Sequence, residues 1–213
     1  MTGDLKEPTM SQVWRRAILA LIATLSVAPA VRAQQLAAGD HEFVFGDPKA
    51  KVTVIEYLSL TCPHCAHFQT AEFPHIKKNY IDTGKIRFVL RDFPLDSLAM
   101  AAALIVRCVA PDKGLKLTNL LLQNQDHWVS AEHPIEPLRS YAKLVGVDEA
   151  AIEACLENRA LLKTLVAEKE RAAAQRDFDT TPSFFVGDEN IEGDPGYEDL
   201  ADMIDRQLRK AKK

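Results

Sequence analysis

The sequence predicts an α/β fold with an inserted helical subdomain, and three stretches predict it. Val52 to Phe93 reads as strand–helix–strand, the next 80 or so residues read as helices alone, and the chain then returns to a hairpin and a last helix. A parallel pair joined by one helix within about 40 residues implies a right-handed crossover.

Each element has a local cause. His41 to Phe45 alternates weakly and is expected as an edge strand closed by Gly46-Asp47-Pro48. Val52 to Ser59 is rich in β-branched and aromatic residues and gives the strongest strand. Pro63 to Tyr80 reads as a helix, with Pro74 predicting a kink or an early stop. Gly84 breaks the chain, and Ile86 to Phe93 forms a second strand ending at Pro94. In the helical block, Leu98, Ala101, Ile105, Cys108 and Val109 share a face, ending near Pro111. Leu115 to Gln123 and Ile135 to Leu144 follow, the latter closed by Gly146. Asp148 caps one further helix running through Ile152, Cys155, Leu162 and Leu165 towards Ala174. Ser183 to Val186, a turn over Gly187 to Asn190, and Ile191-Glu192 make the hairpin, and a helix from about Gly196 to Leu208 closes the chain. The expected division is 1–33 as leader, 34–96 and 177–213 as the two parts of the sheet domain, and 97–176 as the helical insertion.

Residues 1–33 have the layout of an export signal. Trp14-Arg15-Arg16 is a basic flank, Ala17 to Val31 is apolar, and Val31-Arg32-Ala33 offers small-residue cleavage before Gln34. The apolar run, broken by Pro29, is too short to span a bilayer comfortably. Cleavage leaves 213 − 33 = 180 residues with 22 Lys+Arg against 28 Asp+Glu, a net charge of −6. Mild acidity argues against nucleic acid and against an anionic membrane surface as partners. A monomer in the periplasm or outside the cell is expected.

Cys62-Pro63-His64-Cys65 carries the chemistry. It joins the strongest strand to a helix, so Cys62 stands where a helix N-terminus stabilises a thiolate. The thiolate is the attacking species in disulfide exchange. His64, when protonated, adds a positive charge nearby. Lowering a thiol from about 8.5 to about 4.5 favours the reduced form at pH 7 by roughly 3.4 kcal/mol, on the order of 75 mV towards an oxidant. Cys65 is expected to resolve. Zinc needs further ligands, and only His67 and His75 stand near, without a second paired-cysteine motif. No metal and no cofactor are expected.

Glu56 shares the alternating face of Val52, Val54 and Leu58. An acid buried there has a raised pKa and can pass a proton to or from Cys65; the alternative is a solvated or salt-bridged strand residue. Cys108 and Cys155 both fall on apolar helix faces. In an oxidising compartment they suit a structural disulfide, or else two buried thiols. Trp128 and Leu120-Leu121-Leu122 read as subdomain core, and the acidic run Asp188 to Asp194 as a solvated turn.

The stretch VIEYLSLTCPHCAHF, the helical insertion and TTPSFFVG resemble DsbA-type thiol:disulfide oxidoreductases over Gly46 to Leu208. The resemblance implies a thioredoxin fold, with Cys62 attacking, Cys65 resolving and His64 helping to hold the thiolate. It implies a cis Pro182 facing the cysteine pair, with Thr181 shaping substrate contact, and a buried acid at the offset of Glu56. It also implies unfolded or partly folded exported substrates and a quinone-linked membrane protein that reoxidises the pair. The Pro-His dipeptide and the preceding Thr61 differ from thioredoxin's Gly-Pro and Trp, and 18 residues before the main strand leave no room for an isomerase's dimerisation domain. Oxidation of substrates is therefore the expected direction; a disulfide isomerase or reductase, or a binding or chaperone module with a static bridge, are the alternatives. Thr181 departs from the valine frequent in the family.

Overall fold

The computed structural model describes residues 42–212; the expected leader and His41 lie outside them. Strands β1 (Phe43–Gly46), β2 (Val52–Leu58), β3 (Ile86–Asp92), β4 (Ser183–Val186) and β5 (Glu189–Glu192) form one sheet in the order β1-β3-β2-β4-β5. Only β2 and β3 are parallel, with Glu56 opposite Leu90; β4 runs antiparallel to β2 with Phe184 opposite Glu56. β2 is thus central, which explains its run of β-branched and aromatic residues. Gly46 ends β1 at φ +88°, and a Cβ there would collide with the Ile86 carbonyl oxygen.

The helix after β2 has its expected extent but is not a regular α-helix. It does not stop at Pro74 but continues in four segments: α1 (Pro63–His67), a π-turn (Phe68–Glu72), α2 (Phe73–Ile76) and a second π-turn (Lys77–Ile81). The Phe73 N–H reaches back five residues to the Phe68 carbonyl. That wider turn absorbs the residue whose ring and missing N–H would otherwise break an α-helix.

Between β3 and β4 stand α3 (Ser97–Cys108), α4 (Pro111–Gln123), α5 (Gln125–Val129), α6 (Ile135–Leu144), α7 (Glu149–Leu156) and α8 (Arg159–Arg176); α9 (Tyr197–Lys210) follows the hairpin. The single helix expected from Asp148 is two. Asp148 caps the Ala151 N–H, and Asn158 then caps Leu161, because a short polar side chain competes for the backbone and starts a new helix. The hairpin turn is also shorter than expected. Val186 pairs with Glu189, so Gly187-Asp188 make a two-residue turn with Gly187 at φ +63°.

Two layers of core flank the sheet. On one face Val54, Leu58, Phe88, Phe184 and Val186 meet Phe68, Ile76, Leu200 and Ile204, and the same cluster runs on into Leu117, Leu121, Trp128 and Ile152 of the insertion. On the other, Ile55, Tyr57, Val89 and Phe185 meet Phe93, Phe178 and Ala172. Arg107 of α3, buried, pairs with Asp92 at the end of β3 and stacks 4.0 Å over the Phe43 ring. Cys108 and Cys155 are joined by a disulfide, Cα–Cα 5.5 Å, which ties the end of α3 to α7.

Candidate active site

Cys62 caps α1 in an extended conformation (φ −83°, ψ 119°), with Pro63 inside the first turn where its missing N–H is harmless. The Ala66 N–H closes that turn on the Cys62 carbonyl at 3.1 Å. No bond joins the two sulfurs; Cys62 is 7% exposed and Cys65 fully enclosed. Opposite them, the Thr181–Pro182 bond is cis. Cys62 Sγ lies 3.1 Å from the Thr181 carbonyl oxygen, to which the thiol form donates. The Thr181 hydroxyl is buried without a hydrogen-bond partner, so it is one of the groups able to donate to the thiolate.

The two thiols are driven apart. Cys62 is lowered to about 5, chiefly by the hydrogen bond from the Cys65 thiol, then by Thr181 and the backbone N–H groups of Cys65 and His64, against the opposing effect of burial. Cys65 is raised well above its ordinary value by burial first, and then by its position beside the Cys62 sulfur and Glu56. Glu56, fully buried on β2, is likewise raised by burial; a hydrogen bond from Gln69 opposes this and the Cys62 charge adds to it. The arrangement can hold one sulfur as an anion, keep its partner protonated, and set a neutral acid beside that partner.

The structure therefore brings Cys62, Cys65, Glu56, Thr181 and Pro182 to one place. His64 contributes through its backbone; its ring stands 66% exposed, with Nδ1 3.6 Å from Asp194. Cys108 and Cys155 lie in the insertion, outside this group. Three residues had no visible role in the sequence. Gln69 donates to Glu56 Oε2 at 2.5 Å, and its offset of four from Cys65 was the clue to a shared helix face. Gln125, at the start of α5, gives its amide hydrogens to the carbonyls of Leu60 and Cys62 at 2.8 and 2.9 Å. Asp194 accepts from His67 Nδ1 at 2.7 Å, while the Gly193 N–H before it donates to the Pro182 carbonyl at 2.9 Å. Nothing local announces the last two, since their partners are distant in sequence.

Comparison with known proteins agrees with this geometry. A family model described as Thioredoxin matches residues 39–206. A Rickettsia felis protein named as a protein-disulfide oxidoreductase is 34% identical over 174 residues, covering 81% of this chain and 62% of the relative. The chain thus spans less than two thirds of that relative's length. Among solved structures, alpha-DsbA1 of Wolbachia pipientis superposes with a TM-score of 0.75 at 28% identity, over 83% of this chain and 95% of that one. A protein titled protein-disulfide isomerase from Novosphingobium aromaticivorans gives 0.69 at 28% identity, over 80% and 99%. The chain belongs to the thioredoxin family, with the helical insertion of its DsbA-like members.

Proposed function

We propose that this protein is an exported thiol:disulfide oxidoreductase that introduces disulfides into exported polypeptides through Cys62 and Cys65. One observation carries the reading: the Cys62 sulfur, at the head of α1 and 3.1 Å from the Thr181 carbonyl beside the cis Thr181–Pro182 bond, stands next to an enclosed Cys65, a setting that favours the anion at Cys62 and the thiol at Cys65. In the oxidised protein, a substrate thiolate attacks the Cys62 sulfur and breaks the Cys62–Cys65 bond, and Cys65 leaves with the electron pair. Its proton comes from Glu56, which is neutral because it is buried. The second substrate thiolate attacks the substrate sulfur of the mixed disulfide and releases Cys62 as a stable thiolate. The substrate loses two electrons and gives two protons to solvent; the protein gains both electrons and one proton, which Glu56 takes up again from solvent, and the other proton remains there.

The direction follows from the leaving groups. A thiolate stable near pH 5 leaves readily and makes the reduced protein the favoured form, which is the property of an oxidant. A polar cleft of about 490 Å³ beside Pro63, lined by Ala66, His67, Asn124, Gln125 and His127, gives an approaching chain room along α1. The leader directs export, residues 97–176 form the insertion beside the site, and a quinone-linked membrane protein restores the disulfide.

Equilibration with glutathione tests this. An oxidant stays largely reduced in mixtures where thioredoxin, near −270 mV, would be oxidised. A pair that resists glutathione altogether, or one as reducing as thioredoxin, overturns the oxidase reading. The Novosphingobium protein, named as a protein-disulfide isomerase, supports a second reading, isomerisation. A substrate with scrambled disulfides, recovered by catalytic amounts of reduced protein alone, would favour it.

A further inference from the structure

Glu56 has no exposed surface, and its cross-strand neighbours, Leu90 and Phe184, are buried and apolar. From the helix packed on the strand, Gln69 donates Nε2–H to Glu56 Oε2 at 2.5 Å, whereas Oε1 is buried without a hydrogen-bond partner. The titratable groups acting with this carboxyl are the two thiols, Cys62 and Cys65. Its hydrogen-bond donor among the described residues is thus an uncharged amide. Gln69 follows Cys65 by four residues, so one face of the helix offers both the thiol and the amide to β2. The amide itself is half-buried, at the edge of the enclosed region.

The geometry points to Gln69 as the positioning residue of the proton relay: it anchors one carboxyl oxygen of Glu56 and leaves the other free for the Cys65 sulfur. This rests on the reading of Glu56 as proton donor to the departing Cys65. When the Cys62–Cys65 bond opens, Cys65 takes the electron pair, the carboxyl proton passes to it, and the resulting carboxylate keeps the Gln69 hydrogen bond. An amide suits this task better than either alternative. A lysine would hold Glu56 ionised and unable to give a proton, and an apolar residue would leave the carboxylate with no donor at all, so that the proton is held too tightly.

The test is the rate at which the oxidised protein oxidises a dithiol peptide, followed from pH 5 to 9 in the wild type, Gln69→Met, Gln69→Lys and Glu56→Gln. The Glu56-dependent inflection should move to higher pH in Gln69→Met and to lower pH in Gln69→Lys, changing the rate on the sloping limb by about three- to tenfold in opposite senses. Both effects should vanish in a Glu56→Gln background. Parallel movement in the two variants, no movement, or movement that survives Glu56→Gln overturns the positioning role. A profile unaltered by Glu56→Gln alone removes the relay itself, a result distinct from failure at Gln69. Should a Gln69 variant turn over too poorly to profile, titration of the Glu56 carboxyl carbon by NMR gives the same signed comparison.

Discussion

The Cys65 thiol is the largest contributor to the acidity of Cys62, so one member of the pair favours the other as an anion. A hydrogen bond to a charged acceptor is worth about 1.5–3 kcal/mol. Replacing Cys65 by Ala removes that donor and should raise the Cys62 titration midpoint by about one to two pH units. Cys65→Ser, which keeps a donor, should restore most of the difference. Thiolate absorbance against pH in the two variants checks this; equal midpoints would refute the role of the Cys65 thiol.

Thr181→Val should raise the same midpoint by a smaller amount, because it deletes the second-ranked favourable contact while leaving the carbonyl in place. The equilibrium with glutathione should move with it, towards the oxidised protein. A midpoint unchanged within error would show that the hydroxyl does not reach the thiolate.

The stability of the reduced protein should depend on pH through Cys62. Its folded value, about 5, lies below the ordinary 9.0, so the contribution is complete above pH 9 and is lost as the pH falls through 5. At pH 7 it amounts to about 2–3 kcal/mol. Cys65 and Glu56 shift the opposite way, so the comparison is made against Cys62→Ser, which retains both. Urea unfolding should show reduced wild type gaining on Cys62→Ser between pH 5 and 8. A constant gap would contradict the assigned acidity.

These shifts were only partly legible in the sequence. The paired cysteines, their place at a strand–helix junction and the alternation that buries Glu56 are local patterns, and local patterns survive translation into structure. The electrostatics around Cys62 rest instead on Thr181, more than a hundred residues away, and on Cys65 acting as a donor, not only as a redox partner. Gln125 and Asp194 meet the site through the insertion and the hairpin, and no spacing rule connects them to it. The acidic run read as a solvated turn is divided: Asp188 and Glu189 pair with Lys210 and Arg206, whereas Asp194 turns towards the active-site helix. Two details of the helices were missed for a physical reason as well, since the π-turn before Pro74 lets the helix continue through it and asparagine splits what periodicity would join.

The pair formed by Arg107 and Asp92 joins the insertion to the sheet, with side chains 2% and 7% exposed. Removing one partner of a buried pair leaves the other uncompensated, so Arg107→Ala should lower stability by about 3–5 kcal/mol. Chemical denaturation reads it directly, and a loss below 1 kcal/mol would mean that water reaches the pair.

Replacing Cys108 and Cys155 together by Ala should cost about 2–4 kcal/mol by releasing a 47-residue loop in the unfolded chain. Denaturation of the variant against the wild type with only Cys62–Cys65 reduced isolates that contribution. Equal midpoints would show that packing alone holds α3 to α7.

Gln125 gives the insertion a mechanical hold on the segment that carries Cys62. Its amide grips the backbone on both sides of Thr61, so swinging the helices away would strand two carbonyls in a dry interior, at about 1–3 kcal/mol each. The Cys62 sulfur consequently keeps a fixed address, because any movement of these helices away from the sheet would break both hydrogen bonds at once.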